Sequence, residues 1–202
     1  MNLKHIYLIV FLLTFITFSF KSHQPATPDS GMEFNALNDT SHFLAKIDGK
    51  RIEFTEGIDI IRNGSNSLKN FKKEPDSSLV IFQSYMYKYP AGQADITVSI
   101  GTLKFKKFKV DNENFVRFFK IGSYSFSVLA ENGVEITYRD KKDQLWSTSK
   151  GNQDNSNFEI TDLRPDTGFV KFKANFNCKL YNSEGEIKSL ENGLFIGYFR
   201  NN

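Results

Sequence analysis

Cys178 and His42 are the first residues to question, because a thiol beside an imidazole is a compact nucleophilic pair. The sequence holds one cysteine and three histidines, and His5 and His23 lie in or beside the apolar N-terminal run. Cys178 falls in an alternating segment, on the side of Phe176 and Leu180, where a small buried hydrophobe belongs. His42 alone would have to serve as the base of a Ser–His–acid triad, and no G-x-S-x-G elbow accompanies it. One cysteine and one histidine in the domain are too few for a zinc or iron centre, and no phosphate-cradling glycine loop occurs. Neither a metal nor a cofactor is expected.

Carboxylates are the remaining catalytic material, since two of them suffice to cleave a glycoside. Glu53, Glu56, Asp59, Glu135, Asp140 and Asp143 are candidates, but their spacing singles out no pair. Glu135 alternates outward on an expected strand and reads as a solvated surface acid. Asp140, Asp143, Asp154 and Asp162 fit no calcium-loop pattern and read as acids of solvated turns. The chain is expected not to be an enzyme.

Recognition chemistry is better represented. Tyr85, Tyr87 and Trp146 are candidate ligand-binding aromatics: a ring face gives a sugar an apolar partner, while Gln83, Asn152 or Gln153 meets its hydroxyls. Leu79 and Ile81 share the tyrosine side, which also fits a sheet covered on both faces. Lys104, Lys106, Lys107 and Lys109 would suit phosphates or an anionic polysaccharide, yet on an edge or bulged strand they serve first to block edge-to-edge pairing. Asn38-Asp39-Thr40 and Asn63-Gly64-Ser65 match the N-glycosylation pattern, relevant only to a eukaryotic chain.

The elements that must position these residues begin after an export signal. Lys4 and His5 precede the uncharged, mostly apolar run Ile6–Phe20, and Lys21 onward is polar. This is the order of a secretory signal, and the run is shorter than the ~20 residues of a spanning helix. Residues 1–22 are expected to be a signal peptide, 23–41 a disordered leader rich in Pro, Gly and polar residues, and 42–202 a single β-rich domain. With Lys4 and Lys21 removed, 24 basic residues face 23 acidic ones, so the formal charge falls from +3 to +1. Such a balance argues against nucleic acid as a partner.

From residue 42 the chain alternates in short runs. Phe43–Ile47 and Lys50–Phe54 flank Asp48-Gly49, a type I′ hairpin signal. Ile58–Ile61 reads as a short strand, 65–77 as a loop, and 79–87 as a strand. The period of Leu103–Val110 slips at Lys106-Lys107, as at a bulge. Residues 111–120 are the one helix candidate, capped by Asp111 or Asn112, with Phe115, Phe118 and Phe119 on one face and Gly122 as its C′ residue. Tyr124, Phe126 and Val128 alternate with serines; Val134–Tyr138 follows the turn Asn132-Gly133; Gln144–Ser149 carries Trp146. Phe158–Leu163 precedes a turn at 164–168, and Val170–Leu180 is the cleanest strand, with Leu194–Phe199 last. About ten short strands and one helix imply an all-β fold, an antiparallel sandwich or barrel.

Phe43–Lys50, Gly133–Ser147 with Trp146, and Ala174–Cys178 followed by Glu191–Phe195 together resemble a group of small exported β-domain proteins of Gram-negative bacteria, many of them lipoproteins. The resemblance covers about residues 42–200 and implies a β-rich fold in the cell envelope or outside the cell. It brings no activity and no functional residues. This chain lacks the cysteine that lipoprotein members carry after the signal. The resulting expectation is an exported, periplasmic or extracellular β-domain that binds or scaffolds, with a glycan or an envelope protein as partner and no transmembrane domain once the signal is cleaved. The alternative is a glycan or small-molecule binding module using Tyr85, Tyr87 and Trp146.

Overall fold

Residues 40–71, 78–90, 94–106, 110–130 and 132–202 are described in a computed structural model. The expected signal and all but the end of the leader lie outside them, as do Lys107, Lys109 and the expected bulge there. Among the described residues no helix is long and apolar enough to cross a membrane.

Alternation and turn chemistry generate eleven strands in one antiparallel sheet. They are β1 (His42–Ile47), β2 (Lys50–Thr55), β3 (Ile61–Asn70), β4 (Ser78–Lys88), β5 (Ala94–Phe105), β6 (Gly122–Ser123), β7 (Gly133–Arg139), β8 (Leu145–Ser147), β9 (Asn157–Asp166), β10 (Phe169–Tyr181) and β11 (Ile187–Arg200). Among the described residues one α-helix, α1 (Asn112–Phe118), lies between β5 and β6. The sheet runs β2-β1-β11-β10-β8-β7-β5-β4-β3, with β9 on β10 and β6 on β9. The sheet curls into a half-barrel, which is the expected all-β architecture.

The β1–β2 hairpin turns through Asp48 and Gly49 at φ 49° and 75°, as the Asp-Gly signal requires. Along β10, Val170, Phe172, Ala174, Phe176, Cys178 and Leu180 all face the interior and are buried. There the phenylalanines stack in series. Phe119 lies 4.7 Å from Phe199, Phe199 lies 4.4 Å from Phe172, and Phe172 lies 5.7 Å from Phe195. Asp111 caps α1 by accepting the Asn114 N–H at 2.8 Å. The helix then sets Phe115, Phe118 and Phe119 around Phe82, with ring centroids 5.1–5.7 Å away, and seals one end of the half-barrel.

The two sides of the curl meet without a backbone ladder. β1 leaves β11 after Ile196, and the freed edge of β11 turns toward β3 and β4. The Tyr198 N–H donates to Ser84 Oγ at 3.2 Å, and the Arg200 N–H to Ser65 Oγ at 2.9 Å. Serine hydroxyls thus take the place of a missing strand partner.

Five local expectations are corrected. Residues 65–70 are strand, not loop: β3 pairs with β4 from Ile61↔Lys88 to Asn70↔Leu79, and the ladder outweighs the weak β-propensity of Asn, Gly and Ser. Residues 58–60 are turn, not strand, with Asp59 and Ile60 at positive φ. The helix ends at Phe118, and Phe119 is already extended, so Gly122 is no C′ residue and instead opens β6. Tyr124–Val128 is no regular strand; it makes a single parallel bridge, Phe126 to Val134, along the edge of β7, where Ser125 O accepts the Val134 N–H and Val134 O accepts the Ser127 N–H. That approach needs Gly133, since a Cβ there would stand 2.3 Å from Ser125 O. The expected turn at 164–168 begins only at Thr167, because β9 continues through Pro165, paired there with β10 and beyond the two residues that pair with β6.

Candidate functional site

The half-barrel end opposite α1 is open. A cleft of about 1070 Å³ lies there, walled by β2, the β1–β2, β7–β8 and β10–β11 turns, and the ends of β4, β5 and β7. Seven cationic and six carboxylate side chains line it, around an aromatic floor.

Sheet register builds that floor. Met86, Ile96, Tyr138 and Trp146 pair in sequence across β4, β5, β7 and β8, all on the buried face. β8 has only three residues and meets β10 only at Ser147↔Tyr181, so the row ends at Trp146 and its ring borders the cleft. Trp146 is 4% exposed: it packs with the core, and Lys188 Nζ stands 4.1 Å from its ring centroid. The same ammonium lies 3.8 Å from Asp48 Oδ2 and 3.9 Å from Asp140 Oδ2. Asp140 Oδ2 accepts the indole Nε1–H at 3.0 Å, and Asp140 Oδ1 accepts the N–H groups of Lys142 and Gln144 at 2.9 and 3.1 Å.

These contacts set the protonation states. Burial alone would raise the Asp140 pKa, but the donors from Lys142, Trp146 and Gln144, with the Lys188 charge, hold it below the ordinary carboxylate value. Asp95 is raised by burial, only partly offset by the Lys88 N–H and the charges of Lys88 and Arg139. The Tyr138 phenol is pushed up to about 12 by burial, with Asp140 and Asp95 adding to the effect. Arg139 donates through Nη1 to Asp143 Oδ1 and O, both at 3.0 Å, while its buried Nε has no hydrogen-bond partner.

The structure separates the expected ligand-binding aromatics. Tyr85 and Tyr87 sit together on the outer face of β4, ring centroids 6.0 Å apart and half-buried, whereas Trp146 is on the inner face. Tyr85 lies across Gly64 of β3, where a Cβ would meet its ring at 2.5 Å, so the ring covers the missing side chain. Gln83 shares that face and donates to Ser99 Oγ at 3.1 Å. Gln153 is not a loop residue open to a ligand: its amide group binds Thr148 O, Lys179 O and the Lys179 N–H and so ties a turn to β10. Asn152 O accepts the Tyr181 hydroxyl at 2.6 Å.

Of the six candidate carboxylates, Glu53, Asp59 and Asp140 line the cleft, whereas the thiol and the imidazole lie outside it. His42 is not loose beside a leader; it opens β1, 1% exposed, with Nδ1 2.9 Å from Thr55 Oγ1, and burial lowers its pKa. Cys178 is in the core, and burial pushes its thiol up. Glu53 pairs with Arg51 at 2.9 Å and Asp143 with Arg139. Glu135 faces outward but is not solvated: the turn at Thr148–Lys150 folds over it, and Ser147 and Ser149 donate to its Oε1 at 2.7 and 2.8 Å. Asp162 belongs to β9 rather than a turn. Among the described residues no group of three His, Cys, Asp or Glu side chains gathers as a metal site. Lys104 lies on the overhang Thr102–Phe105, which has β4 as its one partner, whereas Ile96–Gly101 is flanked by both β4 and β7.

Sequence reasoning did not single out Asp48, Tyr138 or Lys188 for the site. Asp48 reads as turn chemistry and Lys188 as one polar position of a strand. Only the sheet order brings them to Trp146. Fold and site define an all-β chain with one plugged end and one open, aromatic-floored end. Comparison with protein-family models, curated proteins and solved structures finds no match.

Proposed function

We propose that this chain is an exported, non-enzymatic β-domain that binds a small polar molecule in the open-end cleft. One observation carries the reading: a cleft of about 1070 Å³ whose floor is a tryptophan oriented by a carboxylate. Ligand sites of this kind combine an aromatic base with a few fixed polar groups. The non-enzymatic part rests on Cys178 and His42, both buried in structural roles. Export rests on the basic start and the apolar run Ile6–Phe20.

Trp146 is the chain's single tryptophan, so its emission reports on the cleft floor. Purified protein titrated with a panel of small polar solutes should show saturable emission changes, with NMR shifts in the amides of 140–146 and 187–188. Hits that move only the amides around Tyr85 and Tyr87 would move the site to the outer face. For export, N-terminal sequencing of secreted or periplasmic protein should find a start between residues 20 and 27. A native chain that keeps Met1 and sediments with membranes would refute cleavage of the signal.

The second reading is a glycan seated on the outer tyrosines, favoured by the 6.0 Å Tyr85–Tyr87 pair with Tyr198 beside it. A glycan array probed with wild type and Tyr85→Ala decides it: binding lost with the fold intact supports this face.

A further inference from the structure

Around Trp146 the protein has assembled the groups that recognise an organic ammonium: one aromatic face and two carboxylates. The ammonium found there belongs to the chain. It reaches in on the four-carbon stem of Lys188, from the second residue of β11, and its side chain is still 23% exposed. Both carboxylate distances, 3.8 and 3.9 Å, exceed those of a charge-assisted hydrogen bond, about 2.7–2.9 Å. The tether seats the charge on the ring without a close contact to either carboxylate.

The receptor groups do not depend on Lys188. Asp140 is held by two backbone N–H groups and the indole, and Asp48 by the Ser189 N–H at 3.0 Å. Trp146 is fixed by its register with Tyr138. Removing the lysine head leaves the aromatic face and both carboxylates in place, opening onto the cleft. The cleft walls are close to charge balance, so they offer a bare cation little beyond this corner. A molecule carrying both signs suits them: Lys50, Lys141 and Lys142 line the same cleft and make no ion pair among the described residues.

We infer that the cleft binds a small zwitterion by its ammonium group, which replaces the Lys188 ammonium on the Trp146 face, so that Lys188 is the site's own tethered competitor. The inference rests on the open-end cleft being the ligand site. A competitor that occupies the site most of the time lowers apparent affinity by the vacant fraction, and deleting it restores that factor.

The test uses the full chain, Trp146 emission and three probes: glycine betaine, tetramethylammonium and acetate. Betaine should bind wild type weakly and Lys188→Ala about tenfold or more tightly. Tetramethylammonium should follow the same trend with lower affinity, and acetate should gain nothing. Asp48→Asn in the Lys188→Ala background should weaken betaine several-fold; Asp48 lies in an exposed turn where asparagine also adopts positive φ, so the fold is retained, as circular dichroism checks. Equal betaine affinity in wild type and Lys188→Ala overturns the inference, as does acetate binding as tightly as betaine. If acetate saturates the emission change while betaine shows no gain, the cleft stands as a ligand site and only the ammonium assignment falls. If no probe moves the emission of either protein and no solute moves the 140–146 amides, the cleft reading falls with it.

Discussion

The two ends of the curled sheet are finished in opposite ways. At one end α1 inserts three phenylalanines against Phe82 and Phe199, and the rings pack face to edge and face to face. At the other the interior row stops at Trp146, and charged turns surround the gap. The closed end gains its stability from apolar area removed from water, which is insensitive to small rearrangements of charge. The open end leaves its last aromatic under a single lysine, a contact that water contests. The sheet thus concentrates apolar packing toward the helix and charge away from it, where the proposed binding would take place.

Substitutions at the closed end should do the most damage. Phe172→Ala, within the stack between Phe195 and Phe199, should cost about 3–5 kcal/mol in denaturant unfolding. A loss below about 1 kcal/mol would show that this end is not the stabilising one. Lys188→Ala at the open end removes contacts that are partly solvated and should cost no more than about 1 kcal/mol, although it changes ligand binding. Should the two variants destabilise equally, the contrast between the ends disappears.

Titration sharpens the same contrast. The buried His42 has a folded pKa below histidine's ordinary 6.5, so the unfolded chain takes up the proton first and stability falls as pH drops through 6.5 toward the folded value. Asp140, depressed below 3.8, contributes stability that is present above 3.8 and is lost as pH falls from there through its lower folded value. Melting temperature against pH should therefore decline in two steps. His42→Gln should flatten the upper step and Asp140→Asn the lower one. An upper step unchanged in His42→Gln would assign it to another group. A small effect also belongs to the outer face: Tyr85→Ala uncovers Gly64 and should cost about 1 kcal/mol while leaving any cleft binding unchanged.

Elements specified by local chemistry were legible in the sequence. The Asp48-Gly49 hairpin, the Asp111 cap and the alternation of β10 each follow from neighbouring residues. β3 was not legible, because its polar residues are held by a ladder to β4 rather than by a buried face. Residues 124–128 alternate like a strand but meet β7 in one bridge only, an approach that Gly133 and the space beside it allow. The aromatics named as ligand-binding were real features placed on opposite faces. The site's acids, base and ring come from two turns, the start of β11 and the short strand β8, which only the sheet order assembles. No local spacing between Asp48, Trp146 and Lys188 encodes that meeting.

The serine seam between β11 and its neighbours has a consequence for how the domain breathes. Tyr198 and Arg200 give their amide protons to the hydroxyls of Ser84 and Ser65, single side chains that can rotate away without unzipping a strand pair. Amide hydrogen exchange should therefore release those two protons well before the core amides of β10, such as that of Phe172. The curl opens like a cuff closed with two buttons, at a join where deuterium enters while both halves of the sheet remain folded.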